Sequence, residues 1–295
     1  MSDALKSFSN ALAALAERAA PLLVTLHPGH RAQRTGILWQ SGVLVTSDQG
    51  LPDGAEAQAV LPGGRRVTAT VAGRDPGTNV AALRVEHAAG ARPDAAEARL
   101  GTLVLALGAA EGAPTLRIGA VHRVGPAWDS MASGRIDRLI GLDIRLEPRD
   151  EGGPVLDTDG KLLGMSTLGP RRRVLVIPAA TIDRVVPQLL EQGRVAQGWL
   201  GLGLQPVGIP ATLRSAAGRE AGLMVVSLAA GGPAEEAGVL PGDILLEVAG
   251  EAAPHPRAVA RALSGEQVGK PVPLRVLRAG SPVELQATVG LRPAA

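Results

Sequence analysis

The run Gly232-Pro233-Ala234-Glu235-Glu236-Ala237-Gly238-Val239-Leu240-Pro241-Gly242-Asp243-Ile244-Leu245-Leu246-Glu247-Val248-Ala249-Gly250 decides how the C-terminal third of the chain is read. Pro233 suits the opening turn of a short helix of small residues, because the N–H it lacks has no helical partner there. Pro241-Gly242-Asp243 marks a turn, Ile244 to Val248 an apolar strand, and Gly250 a second turn. Outward from this run, strands are expected over Trp199 to Leu204, Gly222 to Leu228, Asp243 to Val248, Val272 to Arg278 and Val283 to Val289, with a second helix over Pro256 to Leu263. Strands and two helices in that order make a small α+β module.

Upstream the texture changes. A leading amphipathic helix, about Ala4 to Ala19, is followed by short β-rich runs: Leu22 to Leu26, Gly36 to Trp39, Val43 to Thr46, Ala57 to Leu61, Arg66 to Arg74, Val80 to Val85, Leu103 to Leu107 and Thr115 to Val124. Pro154 to Leu156 and Leu162 to Thr167 flank an Asp-Gly turn, and Arg173 to Ile177 closes the set. Many short strands cut by Gly, Pro and Asp indicate an all-β barrel or sandwich. From Thr181 to Gln192 the apolar spacing becomes helical, Gly193 sits where a helix ends, and Pro187 is expected to kink or split that helix. The divisions are therefore a helix at 1–20, a β domain at 21–193, a polar linker at 194–198 and the α+β module at 199–292.

Composition excludes several function classes. The 295 residues are 45% apolar and 20% charged, enough for two domains with sizeable cores. Phe8, Trp39, Trp128 and Trp199 are the whole aromatic inventory, too few for a base-stacking platform, and the net charge is only +2. Arg171-Arg172-Arg173 is the most concentrated basic run and reads as a solvated loop; no nucleic acid partner is expected. With no cysteine there are no disulfides or thiolate metal sites. His27, His30, His87, His122 and His255 form no metal-binding pair at helical spacing, although His27 and His30 can approach on a turn, so no cofactor or metal is expected. No run approaches a membrane span, and the charged N-terminal helix is unlike a secretory leader, which places the chain in the cytoplasm, with the periplasm as the alternative if a leader is missing.

Three further segments carry a resemblance. Ser41-Gly42-Val43-Leu44-Val45-Thr46-Ser47-Asp48-Gln49-Gly50, the run Val71 to Leu83 around Asp75-Pro76-Gly77-Thr78-Asn79, and Glu147-Pro148-Arg149-Asp150-Glu151-Gly152-Gly153-Pro154-Val155-Leu156 resemble, in order, the three catalytic signatures of the HtrA (DegP-like) serine proteases. The resemblance implies a mainly β fold: a trypsin-like double barrel followed by one PDZ domain. It also places Gln49 at the histidine position, Asn79 at the aspartate position and Glu151 at the serine position. A glutamine amide has no basicity near neutral pH, and a neutral asparagine cannot stabilise an imidazolium. Arg149 falls on a glycine whose amide, in the family, helps form the oxyanion hole. The expectation is an inactive homologue with no catalytic residues. Asp48, Asp150 and Glu151 are either solvated loop acids or, as an alternative, a gathered acid/base pair or cation site.

Gly198-Trp199-Leu200-Gly201-Leu202-Gly203-Leu204 is similar to the family's carboxylate-binding PDZ loop, in which glycine lets backbone amides face a terminal carboxylate. The resemblance implies a peptide site at Trp199, Leu200, Gly201, Leu202 and Leu204, walled by Val259 and Leu263. The expected partners are protein or peptide C-termini and extended apolar segments, the role that of an adaptor, scaffold or holdase. A homo-trimer, or assembly with an active relative as its regulatory subunit, is also implied; the leading helix with Phe8 is either a contributor to such an assembly or, the favoured reading, a plain capping helix. An unconventional hydrolase is the remaining alternative.

Overall fold

The computed structural model describes residues 2–293 apart from His30, Arg31, His87, Ala89, Ala91, Glu111, Gly112, Ser133 and Ser264. The expected approach of His27 to His30 therefore lies outside the described residues, as does His87. Two compact units divide the chain, Met1–Val195 and Ala196–Ala295.

The first unit begins with α1 (Ser2–Ala19) and holds two closed six-stranded barrels. The first barrel comprises β1 (Leu23–His27), β2 (Arg34–Gln40), β3 (Val43–Ser47), β4 (Glu56–Val60), β5 (Arg66–Asp75) and β6 (Val80–Val85), in the order β1-β2-β3-β6-β5-β4. The second comprises β7 (Leu103–Ala110) and β8 (Ala113–Gly125), then, after a ribbon of β9 (Trp128–Asp129) and β10 (Arg135–Ile136), β11 (Leu139–Leu142), β12 (Pro154–Asp157), β13 (Leu162–Leu168) and β14 (Val174–Pro178). Its order is β11-β14-β13-β12-β7-β8. Helix α2 (Ala179–Gln192) follows.

Side chains alternate across each strand, so one sequence supplies two faces. Val24, Leu26, Leu38, Leu44, Ala81 and Leu83 fill the first barrel. Val104, Ala106, Ile140, Leu142, Val155, Leu163 and Val176 fill the second. The opposite faces, including Ile37, Val45, Ala82, Leu105, Leu107, Leu156 and Met165, form a third core with Ile182, Val185, Val186 and Leu189 of α2. Burying each of these larger side chains contributes about 1.5–3 kcal/mol, which replaces the missing aromatics with many small terms.

The second unit is a sheet in the order β16-β17-β18-β20-β21. It comprises β15 (Gly198–Trp199), β16 (Leu202–Gly208), α3 (Arg214–Ala217), β17 (Ala221–Leu228), α4 (Pro233–Glu236), β18 (Ile244–Val248), β19 (Glu251–Ala252), α5 (Pro256–Ala262), β20 (Pro271–Arg278), β21 (Ser281–Thr288) and β22 (Gly290–Leu291). β15 pairs with β22, and β19 with β18. The Pro241-Gly242-Asp243 turn is held by its acid: Asp243 accepts from the Leu240 N–H and from Arg278 of β20, at 2.8–2.9 Å.

Several sequence expectations are corrected here. α2 is the one helix that the spacing from Thr181 to Gln192 indicates, but Pro187 does not split it; Pro187 is exposed, so the carbonyl deprived of its N–H partner can meet water. Trp199 to Leu204 is not one strand, because Gly201 takes φ +77° and breaks it into β15 and β16. Gly198 belongs to β15 rather than to a linker, with its N–H bonded to the Leu263 carbonyl. The second helix stops at Ala262, and Leu263 caps it. β9, β10, β11 and α3 had no counterpart in the reading of the sequence; β11 is four residues between charged neighbours, too short for its period to register.

Candidate functional site

In the first unit three chain segments meet between the barrels. Gln49 sits in a one-turn 3-10 helix, Asp48–Gly50, at the end of β3. Asn79 ends the turn from β5 to β6, with φ +59°, a left-handed conformation that asparagine tolerates better than most residues. Glu151 lies in the loop between β11 and β12. Each approach is set locally. Asp75 accepts from the Gly77 and Thr78 N–H groups and from the Thr78 hydroxyl, which folds the turn that presents Asn79. Gly152 at φ +91° and Gly153 let the Glu151 loop press on the barrels. A Cβ on Gly152 would lie 2.3 Å from the Thr35 carbonyl oxygen, and one on Gly153 1.9 Å from that of Leu107.

The three side chains share one closed hydrogen-bond network. Glu151 Oε1 is in reach of four donors: the Ser47 hydroxyl at 3.0 Å, the Thr167 hydroxyl at 2.9 Å, the Leu168 N–H at 3.1 Å, and the Gln49 amide. Gln49 also donates to the Leu168 carbonyl at 2.9 Å and approaches Thr167 Oγ1 at 3.2 Å, while its backbone N–H donates to Asn79 Oδ1 at 2.8 Å. Asn79 Nδ2 in turn donates to Thr167 Oγ1 at 2.6 Å. Ser47 Oγ lies 3.1 Å from Asn79 Oδ1, so its single proton is shared between that oxygen and Glu151. Glu151 is 4% exposed and Ser47 fully buried. A carboxylate removed from water needs such a set of donors to remain there.

The neighbouring acids are neither solvated nor gathered. Asp48 is buried and held by Arg74 Nε at 2.5 Å, and the same guanidinium donates to the Asp48, Leu51 and Pro52 carbonyls. Asp150 is buried against β8, where it accepts from Thr115 Oγ1 at 2.7 Å and lies 3.5 Å from Arg117. No group of three metal-ligating side chains occurs among the described residues. Arg149 is exposed and pairs with Glu147 at 2.8 Å, while its carbonyl accepts from Thr35 Oγ1. The network thus brings Gln49, Asn79 and Glu151 together but leaves Asp48 and Asp150 in separate structural pairs. Ser47 and Thr167 belong to it and were not singled out from the sequence, where a hydroxyl inside an apolar strand is the only signal.

In the second unit β16 is an edge strand, and α5 packs beside it. The backbone groups of β16 that point away from β17 therefore face no strand among the described residues. Leu202, Leu204 and Ala262 are half-buried between the two elements and pack on the core. Leu200, Val259 and Leu263 are core residues. Gly201 hands its carbonyl to the Ala229 N–H at 2.8 Å, and a Cβ there would lie 3.1 Å from that of Ala229 and 3.2 Å from the Trp199 ring.

Comparison with known proteins fits both descriptions. A family model for the trypsin-like peptidase domain matches residues 34–165, and one for the PDZ domain matches residues 224–278. A probable periplasmic serine endoprotease, DegP-like, of Brucella suis is 30% identical over 282 residues, which cover 90% of this chain and 54% of that protein. Its namesake in Rhizobium meliloti is 28% identical over 275 residues, 89% of this chain and 54% of that one. The chain spans about half the length of these curated relatives. Among solved structures, the HtrA-type protease AlgW with a tripeptide is 27% identical with a TM-score of 0.73, covering 96% of this chain and 98% of that one. A serine endoprotease from Yersinia pestis, 23% identical with a TM-score of 0.74 over 95% and 97%, shares the fold. The relatives are named as periplasmic, which overturns the cytoplasmic placement drawn from the N-terminal helix.

Proposed function

Since this chain is a homologue of the DegP/HtrA serine endoproteases, a trypsin-like peptidase domain followed by a PDZ domain, we propose that it is a non-catalytic member that binds C-terminal or extended apolar segments of other proteins. The observation that carries this reading is the network around Glu151. At the nucleophile position stands a buried carboxylate already engaged by four donors, and at the base position an amide whose Nε2 donates rather than accepts. Acyl transfer by this mechanism needs an accessible nucleophile and a group that removes its proton. Neither residue type can supply them.

Binding falls to the second unit. An edge strand beside a helix admits an extended peptide by β-augmentation, while the loop at Leu200 to Leu202, opened by Gly201, offers backbone amides to a terminal carboxylate. Leu202 and Leu204 line the apolar floor. Trp199 flanks the loop, and Val259 and Leu263 support the helix wall from the core. An adaptor or holdase role follows from binding without turnover, and the relatives' naming makes the periplasm the proposed compartment.

The test pairs two assays on the purified full chain. Unfolded casein is expected to survive incubation, and a labelled peptide with a free apolar C-terminus is expected to bind saturably and to lose about tenfold or more in affinity on amidation, the equivalent of one charged hydrogen bond. Cleavage of casein, in keeping with the relatives' names, would overturn the non-catalytic half. Binding indifferent to amidation would overturn the groove.

A further inference from the structure

The hairpin between β13 and β14 carries Pro170-Arg171-Arg172-Arg173 at its tip. Arg171 and Arg172 are consecutive left-handed residues, at φ +58° and +57°, and the Arg173 N–H turns back to the Pro170 carbonyl at 3.4 Å. This is the arrangement of a type I′ turn, whose two central positions favour Asn-Gly or Gly-Gly because a Cβ crowds the backbone there. Arginine at both positions works against the turn. Strain of this kind points toward function rather than fold.

A second observation concerns charge. Some arginines of this unit reach carboxylates, Arg74 to Asp48, Arg92 to Asp183, Arg117 to Glu147 and Arg184 to Asp137, while Arg66, Arg99, Arg123 and Arg145 stand singly without one among the described residues; the tip differs in setting three such arginines in succession. Arg171, Arg172 and Arg173 are all exposed, and none of their side chains has a hydrogen-bond or ion-pair partner among the described residues. The loop is also tied to the network described above, since Leu168, two residues before Pro170, donates to Glu151 and accepts from Gln49. A buried carboxylate network thus braces the base of an unpaired cationic tip.

We infer that the Arg171–Arg173 hairpin tip is a docking point for acidic polypeptide segments, a site on the peptidase-like unit independent of the PDZ groove. Three planar forks in one turn suit the carboxylates of a short Asp- or Glu-rich stretch, each of which can be held in a two-point contact. Nucleic acid is disfavoured because the unit supplies no stacking aromatic at the tip and the net charge of the chain is only +2. A membrane surface is disfavoured because no aromatic or large apolar anchor lies in the loop.

The experiment uses the full chain and a fluorescent oligoglutamate peptide with an amidated C-terminus, which cannot use a carboxylate-binding loop, so its outcome is separate from that of the groove assay. Binding is expected at low salt and should weaken steeply as salt is added. An oligolysine and a neutral Gly-Ser peptide should not bind. In the triple variant Arg171→Asn, Arg172→Gly, Arg173→Ser, affinity should fall at least about tenfold, while the melting temperature stays level or rises because the turn now has its preferred residues. Equal affinity of wild type and variant overturns the proposal, as does a wild type that ignores oligoglutamate. A variant that melts lower would show that the arginines serve the fold, which also overturns it. Binding to single-stranded DNA or to phosphatidylglycerol vesicles in preference to oligoglutamate would overturn the choice of partner.

Discussion

The loop around Glu151 and the loop around Gly201 both rest on glycines that bring backbone close, yet they treat their polar groups in opposite ways. At Glu151 the polar side chains turn to one another: buried Ser47, Thr167 and the carboxylate, with half-buried Asn79 and exposed Gln49 at the rim, meet one another's needs in one cluster. At Gly201 the loop runs into β16, an edge strand whose outer backbone groups face no neighbouring strand among the described residues. A self-satisfied cluster adds stability and has little left to offer a ligand, whereas an unpaired edge gains free energy only when a partner strand arrives. Two loops that both depend on close-packed glycines thus differ in where their hydrogen bonds end: inside the cluster at Glu151, and at an open edge beside Gly201.

The largest effect that can break this contrast is turnover. Loss of the relay in proteases of this mechanism lowers turnover on the order of 10^4 to 10^6-fold, and casein hydrolysis by the wild type is expected at background. The triple variant Gln49→His, Asn79→Asp, Glu151→Ser, assayed beside it, shows how much of the deficit those three residues carry. Next is stability of the inward-facing cluster. Glu151→Ala strips the acceptor from several buried donors and should cost about 2–4 kcal/mol in denaturant unfolding of the first unit, with Glu151→Gln costing less because one acceptor oxygen remains. An unchanged midpoint for Glu151→Ala would mean the cluster is ornamental.

A smaller effect sharpens the other side. Gly201→Ala forces a side chain into a left-handed residue, at a cost of about 1–2 kcal/mol, and should weaken a free-C-terminus peptide in titration while leaving the first unit's unfolding untouched. The smallest expected effect is a pH dependence. Burial pushes the Asp243 carboxyl up, but the hydrogen bonds from Arg278 and the Leu240 N–H, together with the Arg278 charge, leave it below its ordinary value. A depressed carboxylate stabilises the fold above its unfolded-state pKa, and that contribution is lost as the pH falls through the folded-state value. The second unit should therefore lose stability on acidification below the usual carboxylate range, and Asp243→Asn should flatten that part of its unfolding profile.

Legibility from the sequence followed the range of the interaction involved. The Pro241-Gly242-Asp243 turn, the helix end at Gly193 and the barrel strands, short β-rich runs cut by Gly, Pro and Asp, were readable because they depend on neighbours within a few residues. β11 was not, since four residues carry too little pattern, and neither was the break at Gly201, where a local apolar run hides a left-handed backbone. Pro187 was read as a flaw because its exposure on α2 cannot be known until the helix has a buried side. Asp48 and Asp150 were read as solvated or gathered acids, yet they are buried apart, each with its own partner.

The sequence by itself determined the residue types at the three positions, and with them the absence of an imidazole and a hydroxyl from Gln49, Asn79 and Glu151. It also determined the glycines without which neither loop could close. Only the tertiary structure decided that these residues converge, and that Ser47, Thr167 and the Leu168 N–H complete a cradle for Glu151. The physical reason is that chemical identity belongs to each residue alone, whereas a hydrogen bond's value depends on donor and acceptor meeting out of water. For Gln49 and Glu151 that meeting spans 102 residues of chain, and no local pattern encodes it.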